Sequence, residues 1–159
     1  MQAIAQRIIR KKTEGFDIVV VVSAMGKTTN QLLELANQAS ANPSKREIDL
    51  LISTGEQASI SLLSMTLTEN GHSAIGLTGF QAGIKTMAGL HTKNKIVDID
   101  IEKAEKHLRE GKIVVVAGFQ GLNQQGDIIT TLGRGGSDTY RRRSCRRKTE
   151  LPGGNICRC

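Results

Sequence analysis

Residues 129–139 read Ile-Thr-Thr-Leu-Gly-Arg-Gly-Gly-Ser-Asp-Thr. Gly133, Gly135 and Gly136 bracket Arg134, and Ser137 and Asp138 behind them are both good helix N-caps. A flexible loop that runs into a helix start aims several backbone N–H groups at one point, which makes an anion site. Arg134 adds a planar fork suited to a carboxylate or a phosphate. A plain Gly-rich turn accounts for the bare string about as well. The preceding strand-like run Ile113-Val114-Val115-Val116-Ala117 favours the anion site, because it ends in a second glycine turn, Gly118-Phe119-Gln120-Gly121. In open α/β sheets, ligands bind at such strand ends.

Two further strings carry polar chemistry. Ser23-Ala-Met-Gly-Lys-Thr-Thr29 has the Gly-Lys-Thr ending of a phosphate-binding P-loop. The first glycine of that pattern would fall at Val21, inside an apolar strand, so the P-loop is rejected. What remains is a hydroxyl-rich turn at a strand end, or a helix N-cap by Thr28 or Thr29. Ser53-Thr-Gly-Glu-Gln57 interrupts an otherwise apolar helical pattern. Glu56 within it reads first as a solvated helix charge, and second as an acceptor for an ammonium group. His72, His91 and His107 stand apart from one another in the chain and read as surface or loop residues. The sequence offers no Ser–His–Asp set and no metal-ligand cluster. This inventory suits phosphoryl transfer to a carboxylate, an acceptor already ionised at pH 7 that needs no general base. Positioning and charge neutralisation by N–H groups, Lys or Arg, and Mg²⁺ would then do the work.

The elements that must hold these residues alternate between helix and strand. Residues 2–12 show Ala3, Ile4, Ile8 and Ile9 at helical spacing, ending near Gly15. Asp17–Val22 is a short β-branched run without alternation, so it predicts a strand covered on both faces. A helix follows over Gln31–Gln38, with Leu32, Leu33, Leu35 and Ala36 on its apolar side. Another starts near Ser44, breaks at residues 53–57 and resumes over Ala58–Thr68, closed by Gly71. Ser73–Leu77 predicts a short strand, residues 80–95 a polar loop, and Ile96–Ile99 a strand edge. Ile101–Glu110 predicts a helix, Ile113–Ala117 a strand, Gly121–Gly126 a turn and Asp127–Thr131 a last short strand. The alternation gives an α/β fold with a mainly parallel sheet.

The length of 159 residues fits one domain with a core. No stretch approaches the roughly 20 apolar residues of a membrane span. The first 15 residues carry no apolar leader core, so the expectation is a cytoplasmic protein. The net charge of +7 raises a nucleic-acid reading. Its distribution argues against one: residues 140–159 hold seven basic side chains against Glu150 alone, while the remainder is nearly neutral. All three cysteines, Cys145, Cys157 and Cys159, also lie in this tail.

VVVVSAMGKTTN, STGEQ, VVVAGFQG and TTLGRGGSDT together resemble, in order and spacing, the aspartate kinases of the amino-acid kinase superfamily. The resemblance covers residues 2–139 and is nearest to the bacterial lysine- and threonine-pathway type. It implies a three-layer α/β/α catalytic domain with a mainly parallel open sheet, here incomplete. It implies ATP- and Mg²⁺-dependent phosphorylation of the L-aspartate β-carboxylate to 4-phospho-L-aspartate, with an oligomeric parent enzyme. By motif, Thr29 and Glu56 would hold aspartate, Ser23 would lie near the phosphates, and Arg134 would grip a substrate carboxylate. Gly135, Gly136 and Ser137 would shape the substrate pocket, with Arg134 and Asp138 as the catalytic pair.

The resemblance stops at Thr139. The family's Lys-Phe-Gly-Gly-Thr-Ser strand has no counterpart before Met1, and a small-residue helix is replaced by YRRRSCRRKTELPGGNICRC. Read one base later, arginine CGN codons encode Ala, Val, Gly, Asp or Glu, and the tail then resembles that missing helix. The expectation is a frameshifted tail over 140–159 that is not folded on a partial catalytic domain over 1–139, and a chain that does not turn over. The rivals are a fragment whose basic tail binds nucleic acid, and a kinase acting on glutamate or a carbamate. The pairing of STGEQ with GRGGSDT argues for aspartate.

Overall fold

The computed structural model describes residues 1–89 and 91–132 in full, and residues 147–151 and 154–158 as backbone. The elements run α1 (Gln2–Thr13), β1 (Ile18–Val22), α2 (Thr28–Ala39), α3 (Lys45–Glu69), β2 (Ala74–Leu77), β3 (Ile84–Thr86), β4 (Ile96–Ile99), α4 (Glu102–Arg109), β5 (Ile113–Ala117), β6 (Gln120–Asn123), β7 (Ile129–Thr131), β8 (Arg147–Leu151) and β9 (Gly154–Arg158).

The main sheet has the order β2-β5-β1-β9-β8. β2, β5 and β1 are parallel, in the register Val20↔Val115 and Ile75↔Val114. β1 and β5 are buried at all five positions, as expected for strands covered on both sides. Their side chains alternate between two cores. Ile18, Val20, Val22, Ile113, Val115 and Ala117 face α1 and α3, meeting Ala5, Ile8, Ile60, Leu63 and Leu67. Val19, Val21, Val114 and Val116 face the other way, against Ala104 and Leu108 of α4 and Ile84 of β3. This is the expected α/β/α layering. A second sheet, in the order β4-β3-β6-β7, lies beside it and mixes parallel and antiparallel pairs.

α3 departs from the sequence reading. It is one helix of 25 residues that runs straight through Ser53–Gln57. Ser44 caps its start by accepting from the Glu47 N–H at 3.3 Å. Its end is a Schellman closure: Gly71, at φ +81, donates to Thr68 O and His72 to Leu67 O. The polar residues do not break the helix because their side chains are satisfied in place: Ser53 and Thr54 donate to Leu50 O and Leu51 O of the same helix, Gln57 donates to Ser53, and the inward-facing Glu56 accepts from Ala24. Two short strands were also hidden. β3 lies inside the expected 80–95 loop, and β6 within the expected turn region, because runs of three or four residues give little periodicity.

Two strands are described in the tail. β9 pairs antiparallel with β1, Val20 opposite Ile156, and β8 pairs with β9. So the two strands described in 140–159 extend the main sheet. β5 satisfies one edge of β1, and the other edge would leave a row of buried N–H and C=O groups unpaired. Ladder hydrogen bonds depend little on side-chain identity, so a sequence without helical periodicity can fill that edge. The 133–139 loop, with Arg134, Gly135, Gly136, Ser137 and Asp138, lies outside the described residues.

Candidate functional site

β1 and β5 end side by side, and the Gly118 N–H donates to Val22 O at 2.8 Å. The Ser23–Lys27 turn and the Gly118–Phe119 turn therefore leave the same end of the parallel sheet, where open α/β folds bind ligands. Ser23 is exposed in the first of these turns. Thr29, half-buried, sits in the first turn of α2. Phe119 has φ +63, a left-handed backbone rarely adopted by an aromatic residue. Such strain concentrates at functional sites. The Leu132 N–H donates to Phe119 O at 2.8 Å, so the chain just before Gly133 is held at the same place.

α3 crosses beneath these turns. Gly55 is what allows the approach: a Cβ there would stand 3.0 Å from Ala24 Cβ and 3.5 Å from Thr28 Cγ2. One residue on, Glu56 is 2% exposed. The solvated-charge reading of Glu56 is therefore overturned. Its Oε1 accepts from the Ala24 N–H at 3.1 Å. Its Oε2 is buried and has no hydrogen-bond partner among the described residues. Burial disfavours the carboxylate and pushes its pKa up to about 7, against the opposing pull of the Ala24 N–H. A buried acidic oxygen with one lobe fixed and the other open suits a cationic ligand group, which would restore the charged form.

Two neighbours escaped the sequence reading. Gln120 is 1% exposed; its Nε2 donates to Ser53 O at 2.9 Å, while its Oε1 is buried and unpartnered among the described residues. Asp49 is fully buried, and His91, expected to stand alone, bonds to it at 2.8 Å. The available signal was spacing. Asp49, Ser53, Glu56, Ile60, Leu63 and Leu67 fall at three- and four-residue intervals, which puts the polar members on the face of the apolar ones. His72 and His107 are half-buried, and neither lies on this stripe. Ser23, Thr29, Gly55 and Glu56 are thus gathered at one end of the sheet, where Leu132 leads toward Arg134.

Among the described residues no three His, Cys, Asp or Glu side chains come together as a metal site. No described helix is long and apolar enough to cross a membrane.

Residues 1–140 match the sequence profile of the amino acid kinase family. Over 136 residues the chain is 59% identical to an aspartokinase of Bacillus sp. (strain MGA3), covering 86% of this chain and 33% of that protein. The solved aspartate kinase from Synechocystis superposes with a TM-score of 0.70 at 52% identity, over 87% of this chain and 22% of that one. E. coli aspartokinase III, solved in complex with aspartate and ADP, superposes with a TM-score of 0.52 at 27% identity, over 82% of this chain and 27% of that one. The chain spans about a third of the length of the curated relatives it matches.

Proposed function

The chain belongs to the amino acid kinase family, and from that premise we propose that it forms the acceptor-binding part of an aspartate kinase. The reaction is transfer of the ATP γ-phosphoryl group to the β-carboxylate of L-aspartate, in the cytoplasm. The observation that carries this reading is Glu56, buried at the sheet end with Oε1 fixed by Ala24 and Oε2 open among the described residues. It offers a fixed negative oxygen to the substrate ammonium group. Relatives named as aspartokinases support the substrate, and the complex of E. coli aspartokinase III with aspartate and ADP supports the nucleotide.

The chemistry asks little covalent work of the protein. An oxygen of the ionised β-carboxylate attacks the γ-phosphorus, and the bond to the departing ADP oxygen breaks. No proton has to move, so no general base is required. The chain supplies alignment. Glu56 holds the ammonium group, and Thr29 at the start of α2 contacts the same substrate. Arg134 clamps a carboxylate with its planar fork, with the N–H groups of Gly135 and Gly136, Ser137 and Asp138 around it. Ser23 lies toward the phosphates. Mg²⁺ would neutralise phosphate charge.

Calorimetric titration of L-aspartate tests the substrate assignment. Saturable binding is expected, weakened about tenfold or more by Glu56→Gln, because an amide does not replace a charge-assisted bond to ammonium. No binding at millimolar aspartate, or binding indifferent to Glu56→Gln, contradicts the reading. Trapping of acyl phosphate as a hydroxamate, with ATP and Mg²⁺ present, measures the transfer itself. Hydroxamate formed with glutamate in preference to aspartate would reassign the acceptor.

A further inference from the structure

α3 carries a second buried carboxylate that the transfer reading leaves unused. Asp49 lies two helical turns before Glu56 on the same face and is fully buried. One oxygen meets His91 Nδ1 at 2.8 Å. The Thr92 N–H donates to both oxygens, at 3.1 and 3.2 Å. The Thr131 hydroxyl donates to Oδ1. These contacts join three parts of the chain that are far apart in sequence: the first turns of α3, residues 91–92 and the end of β7.

Neighbouring bonds make the junction stiff. The Asn94 N–H donates to Thr131 O at 3.0 Å, and Asn94 forms a parallel bridge with Leu132. The Asn94 side chain closes its own loop, accepting from the Met87 N–H at 3.1 Å and donating to Met87 O at 2.9 Å. Thr92 adopts φ +62, a conformation costly for a β-branched residue, and its N–H is the group Asp49 holds. A buried carboxylate is expensive unless its bonds are needed. Here one of them falls on Thr131, one residue before Leu132, the last described residue ahead of the Gly133–Asp138 string, and the others hold His91 and Thr92 of the segment that Asn94 ties to Thr131.

We propose that Asp49 is a positioning residue: its carboxylate clamps residues 91–94 onto Thr131 and so fixes the point from which the Arg134 segment starts. The clamp itself is read from the contacts above; only its consequence for ligand affinity rests on the reading given under Proposed function. Asp49 touches no substrate. It acts through Thr131 and Leu132 on the residues that would.

Amide hydrogen exchange on the full chain tests the clamp, using Asp49→Asn, Thr131→Val and Thr131→Ser. Exchange in peptides spanning 87–95 and 129–132 should rise about tenfold in Asp49→Asn and in Thr131→Val, while 18–22 and 113–117 keep wild-type rates. Thr131→Ser keeps the hydroxyl and should behave as wild type. A rise confined to the start of α3, or spread over the whole chain in both Asp49→Asn and Thr131→Val, overturns the proposal. So does a Thr131→Ser variant as loose as Thr131→Val. The L-aspartate dissociation constant should rise about tenfold with Thr131→Val and stay level with Thr131→Ser, a split that general destabilisation would not produce. Unchanged affinity beside loosened segments overturns the positioning role. If the wild-type chain binds no aspartate, the functional reading falls, and the exchange pattern alone decides the clamp.

Discussion

Along α3 the core-facing positions change character near Ser59. Before it the buried side chains are Asp49, Ser53 and Glu56 with a single aliphatic one, Ile52, and after it Ile60, Leu63 and Leu67. The later group packs on β1 and β5, where each large aliphatic side chain contributes about 1.5–3 kcal/mol by leaving water. The earlier group packs on turns and strand ends: Ala24, Gln120, His91–Thr92 and Thr131. Half of one helix anchors the domain, and in the proposed function the other half arranges the ligand end. Function here is placed on a rigid element and costs that element part of its own stability.

The largest effect should come from the apolar half. Leu63→Ala, at a side chain 1% exposed, should cost about 2–5 kcal/mol in denaturant melts. It should leave aspartate affinity per folded molecule unchanged; a specific loss of affinity would erase the division between the halves. In the polar half, Glu56→Gln should do the reverse. The folded pKa of about 7 lies above the ordinary 4.5, so the folded state holds this proton more tightly than the unfolded state. The contribution is fully favourable below about pH 4.5 and is lost as pH rises through 7. Glu56→Gln keeps the protonated shape, so it should stabilise the chain by up to about 3 kcal/mol at pH 8 and by nothing near pH 4. Melts at the two pH values check the sign. Aspartate binding to the wild type should strengthen up to about tenfold between pH 6 and 8, as Glu56 ionises; a flat profile would detach Glu56 from the ligand.

Gly55→Val should be intermediate. Its Cβ meets Ala24 Cβ at 3.0 Å, so α3 or the Ser23–Lys27 turn has to yield, at about 1–3 kcal/mol. Aspartate affinity should fall with it, measured on the folded fraction. The smallest effect belongs to neither half. Arg109→Ala removes an exposed pair to Glu105 at 3.6 Å on α4 and should move stability by less than about 0.5 kcal/mol. It sets the scale against which the α3 effects are judged.

The sheet was legible in the sequence because β1 and β5 are continuous β-branched runs, and no other element suits five consecutive buried residues. β5 was placed to the residue. α3 was harder. Ser53–Gln57 looks like an interruption when polarity is taken to mean exposure, and only the three- and four-residue spacing shows that Ser53 and Glu56 share the core face. Glu56 was singled out as a ligand group through the family resemblance, while its chemistry alone favoured a solvated charge. The same spacing put Asp49 on the core face, but not its partners, which lie 42, 43 and 82 residues away. β3 and β6 are too short to show a period. In the tail, Pro152-Gly153-Gly154 between two short runs is a turn signal that marks a hairpin.

The unbroken course of α3 has a mechanical corollary. At 1.5 Å per residue its 25 residues make a rod about 37 Å long, and each residue turns it by about 100°. Its two stripes therefore share one rotational phase. Removing a single residue between Glu56 and Ile60 would swing the Asp49–Glu56 stripe roughly a quarter-turn or more away from the turns it serves, with the lower half still seated on the sheet. An insertion of seven would nearly restore the phase but carry the stripe past those turns by about two helical turns. The spacing between anchor and site is thus set in both angle and height, like a key cut to a fixed depth.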